Sequence, residues 1–184
     1  MNKILLITGS APCVLDDIAS AFLIVSGVIK DVSDLDFMAI GLSSVDKHIR
    51  HIKYMATYHP AEIQEIKKRR AAVGGNTDYL VISHEKKSEV DIFEPFIPPT
   101  GSSSHLGALA AIRIGYKKII LCGCPLEGNT SNGNDAKIFR EGWTAKIDIV
   151  KDKVRSMSGW TKELLGYPVR EWLERENKSP LIPL

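Results

Sequence analysis

The sequence contains no run of 18 apolar residues, so no segment reads as a membrane-spanning helix. Only three cysteines occur, two of them as Cys122-Gly-Cys124, and this matches neither a disulfide framework nor the Cys-x-x-Cys spacing of zinc sites. Reduced, largely buried thiols are expected. No G-x-S-x-G elbow is present, which removes a serine nucleophile of that kind. The G-x-G-x-x-G fingerprint is incomplete: after Gly9, the second glycine position holds Ala11 and the third holds Val14. That argues against a bound dinucleotide, and leaves an NAD(P)-dependent reductase as the weakest of the readings below. The formal charge of +2 is too small and scattered for a nucleic-acid groove. One basic cluster, IKKRR at 66–70, reads as the wet face of a helix. No carboxylate cluster suited to a metal and no internal repeat is visible, no cofactor is implied, and no histidine follows His105. The opening MNKILLITGS reads as a strand and turn rather than a signal peptide, and a cytoplasmic location is expected on that reading.

What is present is 184 residues, 44% hydrophobic and 25% charged, enough for one globular domain with a good core. The core is expected at about 1–125, with a C-terminal helical segment at about 136–176. Everything is arranged around the stretch 101–125, GSSSHLGALAAIRIGYKKIILCGCP. It reads as loop, helix, turn and strand, with the helix beginning near Ser103 or Ser104. There a serine can cap, backbone N–H groups lack intrahelical partners, and small residues let a phosphate approach. A capped helix that binds nothing is the equal alternative.

Along the chain, the apolar run at 3–8 suits a central strand. Gly9, Ser10, Ala11 and Pro12 then turn into a helix carrying Leu15, Ile18, Ala19, Phe22 and Leu23, with Asp16 and Asp17 in its first turn. Further strands are expected at 36–42, 52–57, 79–83 and 118–122, and a helix from Pro60 to about 73. Residues 91–100, with three prolines, read as an extended loop. The polar stretch 128–135 is a lid or a plain connector. A long helix is expected from 136 to 150, a strand or turn at 154–159, helices at 160–165 and 170–176, and a frayed tail at 180–184. Strands alternating with helices imply an α/β, three-layer sandwich with a mainly parallel, Rossmann-like sheet. Ligands of such sheets bind beyond the carboxyl ends of the strands. Those ends carry Ser10, Ser43 with Ser44, His59 and His84, and Gly101, Ser102, Ser103, Ser104 and His105 face the same edge.

Several segments resemble a known group. KILLITGSAPCVL, YMATYHP and GSSSHLGALAAIRIGYKKIILCG are similar to motifs of the bacterial sialyltransferases that use CMP-activated sugar, and of the MptE-like hydroxymethylpterin pyrophosphokinase family. The likeness spans about the first two-thirds of the chain, and VRSMSGWTKELLGYP resembles phage-encoded proteins of unassigned activity. The resemblance implies a nucleotide contacted by Gly9 to Pro12, Ser43, Ser44, His59 and Gly101 to His105, and glycosyl or diphosphate transfer. The chain departs from the family where leaving-group tyrosines belong, having Pro125, Leu126 and Glu127 there, and where a later lid histidine belongs.

Two residues are candidates for chemistry. His59 suits a general base or ribose contact, against a capped structural histidine. Arg155, beside Ser156 and Ser158, suits a pyrophosphate clamp, against a plain ion pair. His105 would be neutral at a helix start, with packing as the favoured role. Trp143, Trp160 and Trp172 read as core or interface. The leading expectation is therefore a nucleotide- or nucleotide-sugar-binding transferase; the alternative is a non-catalytic binding or phage accessory module. A homo-oligomer is expected only because such assemblies are common.

Overall fold

The computed structural model describes residues 3–95, 101–129, 133 and 135–175. Seven parallel strands form one sheet in the order β5-β4-β3-β2-β1-β6-β7: β1 Ile4–Thr8, β2 Leu35–Ile40, β3 Tyr54–Ala56, β4 Leu80–Ser83, β5 Ile92–Phe93, β6 Lys118–Cys122 and β7 Val154–Ser156. The continuous apolar runs of β1 and β6 follow from this position. Each is buried along its whole length, as a strand covered on both faces must be. Leu5 and Ile7 face the core under α3 (Ser103–Ile114), α4 (Arg140–Ala145), α5 (Ile147–Val150) and α6 (Gly159–Leu165). Ile4 and Leu6 face the other core, under α1 (Val14–Ser26) and α7 (Arg170–Glu174). On that second face α2 (Ile63–Ala72) covers Met55 and Val81 through Ile63 and Ile66. This is the expected three-layer α/β sandwich.

α3 lies against the middle of the sheet because its residues are small. A Cβ on Gly107 would come within 2.8 Å of Met38 Sδ, so glycine there lets the helix approach. The helix ends at Gly115, whose φ of 110° closes it in the left-handed region.

Several expected boundaries shift. The second strand stops at Ile40, and Gly41–Val45 forms a 3₁₀ turn because Gly41 takes a φ of 49°. Residues 46–53 then reach β3 without any α-helix. The first turn after His59, Pro60–Glu62, is 3₁₀ rather than α. The loop at 91–100 contains a strand: Asp91 accepts from Val81 N–H through its carboxylate and donates to Val81 C=O, which draws Ile92 and Phe93 alongside β4. Residues 96–100 lie outside the described residues. The long helix expected at 136–150 is three pieces, a 3₁₀ turn at Ala136–Phe139, α4 and α5, broken at Lys146 with φ −117° and ψ 18°. Asn129 and Asp135 form an antiparallel bridge, while most of the polar stretch between them, and the tail at 180–184, lie outside the described residues. No helix among the described residues is long and apolar enough to cross a membrane.

The basic cluster is not wholly solvated. Arg70 is fully buried, and its guanidinium donates to the carbonyls of Asn76 and Arg50 and to the Asn76 side chain at 2.7–2.9 Å. It organises the entry to β4.

Candidate functional site

The chain runs from β1 outward to β5 and then returns to place β6 on the other side of β1. Strand order therefore reverses between β1 and β6, and the carboxyl ends of these two strands mark the edge where such sheets take ligands. The bend after β1 and the start of α3 both reach this edge. Ser103 Oγ accepts from Tyr58 N–H, just past β3, at 3.2 Å. Ser104 lies near the Cys124 thiol, whose pKa it lowers against the rise imposed by burial, and Cys124 Sγ lies only 2.7 Å from where a Cβ on Gly9 would stand.

Ser102, not Ser103, is the N-cap of α3. Its Oγ accepts from His105 N–H at 3.2 Å and from Trp143 Nε1 at 3.3 Å, and pairs with Ser104 Oγ at 2.8 Å. The amides of Ser103 and Ser104 open the helix and have no carbonyl inside it to bond. They carry the positive end of a 12-residue dipole. Ser103 is half-buried, while Gly101, Ser102 and Ser104 are buried.

Gly9 serves packing as much as access. A Cβ there would sit 2.1 Å from Gly123 O, and the two loops are stitched by Gly9 N–H to Cys122 O and Ala11 N–H to Gly123 O. Ser10 and Pro12 remain exposed beside this seam, with Ala11 half-buried. Ser43 is buried and fully engaged: its hydroxyl donates to Thr8 O at 2.6 Å and accepts from Ile40 N–H at 2.9 Å. It clamps the ends of β1 and β2 together. Ser44 belongs to the same 3₁₀ turn. His59 is exposed at the end of β3, its N–H bonded to Thr57 Oγ1.

Two predicted residues sit elsewhere. His105 is fully buried and stacks on Trp143 with centroids 4.6 Å apart, and neither ring nitrogen has a hydrogen-bond partner among the described residues. Burial, with Lys146 adding repulsion, pushes its pKa down to about 4, so the ring is neutral. Arg155 points back toward the entry of β7, bonding the carbonyls of Lys151 and Val154 and lying over the Trp172 ring. It is not brought to the serine cluster and forms no carboxylate pair among the described residues.

Sequence reasoning missed a carboxylate that organises this rim. Asp17 lies on the buried stripe of α1 with Val14, Ala21 and Val25, and its Oδ2 accepts from Gly123 N–H and Ser158 Oγ, each at 2.7 Å. The half-buried Cys13 thiol lies 3.6 Å from the same oxygen, and burial raises its pKa. The signal was legible: one acid at core spacing on an otherwise apolar face. Next to Ser103, Tyr58 packs against His84 with centroids 4.3 Å apart and the rings tilted by 34°, and burial pushes the phenol up to about 12.

No family model matches the sequence, and no curated protein matches it. Among solved structures the chain is similar to the sialyltransferase CstII from Campylobacter jejuni, in complex with a substrate analogue, cytidine-5'-monophosphate. The TM-score is 0.56 at 15% identity, covering 100% of this chain and 96% of that one. It is also similar to the MAf glycosyltransferase from Magnetospirillum magneticum AMB-1, with a TM-score of 0.57 at 10% identity, covering 97% of this chain and 35% of that one. At such identities the shared property is the Rossmann-like fold.

Proposed function

We propose that the protein binds a nucleotide or nucleotide-sugar at the carboxyl edge of the sheet and transfers the activated group to an acceptor hydroxyl. One observation carries this reading. The glycine bend after β1 and the start of α3, whose first amides have no partner within the helix, both lie at the carboxyl edge beside the reversal of strand order. The neighbour of the same fold that holds cytidine monophosphate supports it. In this reading the phosphate seats on the Ser103 and Ser104 amides, with the exposed bend 10–12 beside it. As the sugar–phosphate bond breaks, its electron pair passes to the phosphate oxygen. There the α3 dipole and amides stabilise the growing charge. The acceptor hydroxyl forms the new bond and gives its proton to a rim base, for which exposed His59 is the candidate.

A second reading, nucleotide binding without transfer, is favoured by the withdrawal of His105 into the core. Calorimetry with nucleoside monophosphates and a panel of activated sugars, alongside nucleotide release, separates the two: binding without release supports the second. Ser103→Arg fills the site and abolishes binding. Ser103→Ala, which also loses the bond to Tyr58 N–H, retains most of it. Unchanged affinity in Ser103→Arg overturns the placement.

A further inference from the structure

The β2–β3 crossover lacks the helix that usually covers such a connection. Its absence leaves a groove of about 880 Å³ on the sheet face away from α3, far from the serine cluster. One wall is α1, through Leu15, Ile18 and Phe22, the floor is Phe37, and the other wall is the segment carrying Ile49 and Ile52. α1 has a second peculiarity. Besides its buried stripe, its outward side presents Leu15, Ala19, Phe22 and Leu23, all exposed, at i, i+4, i+7 and i+8. Leu23 is 79% exposed, and Val32 at the groove mouth is 73% exposed. A helix that is apolar on two sides is the pattern of one covered on both.

The charges on the two walls differ in sign. Flanking the α1 wall are Asp16 at its start and Asp31 and Asp34, with Lys30, in the turn that carries Val32, a net negative set; the opposite wall carries Arg50, His51 and Lys53 with Asp78, flanked by Lys47 and Asp46, a net positive set. A two-fold axis running along the groove exchanges the walls. It lays each α1 against the other copy's uncovered crossover and sets each acidic turn opposite the other copy's basic segment.

We infer that a second copy of this chain occupies the groove, giving an isologous dimer through the outward face of α1. Each copy supplies the helix that the other's β2–β3 crossover lacks. The dimer leaves the carboxyl edge free and does not depend on what binds there.

Sedimentation equilibrium on the full chain tests this. Wild type at about 10 μM sediments at twice the chain mass of 20.3 kDa. Leu23→Glu, at a position too exposed to affect folding, sediments as a monomer with an unchanged far-UV circular dichroism spectrum. Arg50→Glu and Asp34→Arg are each monomeric, because each sets like charges across the axis. Mixed in equal amounts, the two associate, since every facing pair is then of opposite sign. A monomeric wild type overturns the inference, including one whose groove takes up an apolar dye or another ligand instead. So does a Leu23→Glu dimer, or a mixture of the charge variants that fails to associate.

Discussion

His105 makes a sharp prediction for acid stability. Its pKa falls from 6.5 to about 4 in the folded protein, mainly because the ring is buried against Trp143 with no acceptor among the described residues to welcome a proton. The unfolded chain binds that proton readily and the folded one does not, so protons favour unfolding. The stabilisation is fully present above pH 6.5 and is lost as pH falls through about 4. Linkage gives a loss of about 2 kcal/mol by pH 5 and about 3 kcal/mol by pH 4. For a chain of this size that corresponds to roughly 6–12 °C in melting temperature. Carboxylates also titrate below pH 5, so the informative quantity is a difference. His105→Phe keeps an aromatic ring against Trp143 and removes the titration. Urea unfolding of both proteins from pH 7.5 to 4 should show wild type losing about 3 kcal/mol more than the variant. Parallel loss in the two proteins would refute the claim that this ring is held neutral.

Three further outcomes are expected. Arg70→Ala leaves the Asn76 and Arg50 carbonyls without their buried donor and should cost about 3 kcal/mol in chemical denaturation, with Arg70→Lys recovering only part. Gly9→Ala drives a methyl into Gly123 O and should cost about 3 kcal/mol or prevent soluble expression, whereas Ser10→Ala beside it should change the melting temperature by under about 1 °C. Asp17→Ala strands the Gly123 amide and should cost about 2 kcal/mol; it should also speed alkylation of Cys13, whose thiolate the carboxylate disfavours, as followed by mass spectrometry.

The sheet was legible because β1, β4 and β6 are short apolar runs ended by Gly or Ser, the composition expected of a strand covered on both faces. β5 was hidden, because two residues carry no period and its pairing depends on Asp91, a contact between segments. The break at Lys146 was hidden for a related reason. Ile138, Phe139, Trp143, Ile147 and Val150 keep helical spacing across it, yet the chain turns there to bring Trp143 over Ser102. At the rim, the sequence marks loops that reach the carboxyl edge but not their internal use. Ser43 looks like a ligand contact and is a clamp between strands, His105 looks like a first-turn donor and is core, and Arg70 looks solvated and is sealed. In each case the side chain's partner lies far away in sequence, where composition and periodicity carry no information.

The indole of Trp143 has a consequence for how the chain can be cut. It comes from beyond the point where the first six strands are complete, and it supplies both the donor over Ser102 and the surface under His105. A fragment stopping after Pro125 would keep the bend after β1 and the serines of the α3 start yet leave the first turn of α3 bare and its imidazole wet. Whoever shortens this protein to its first six strands will find that the serine corner has lost its roof.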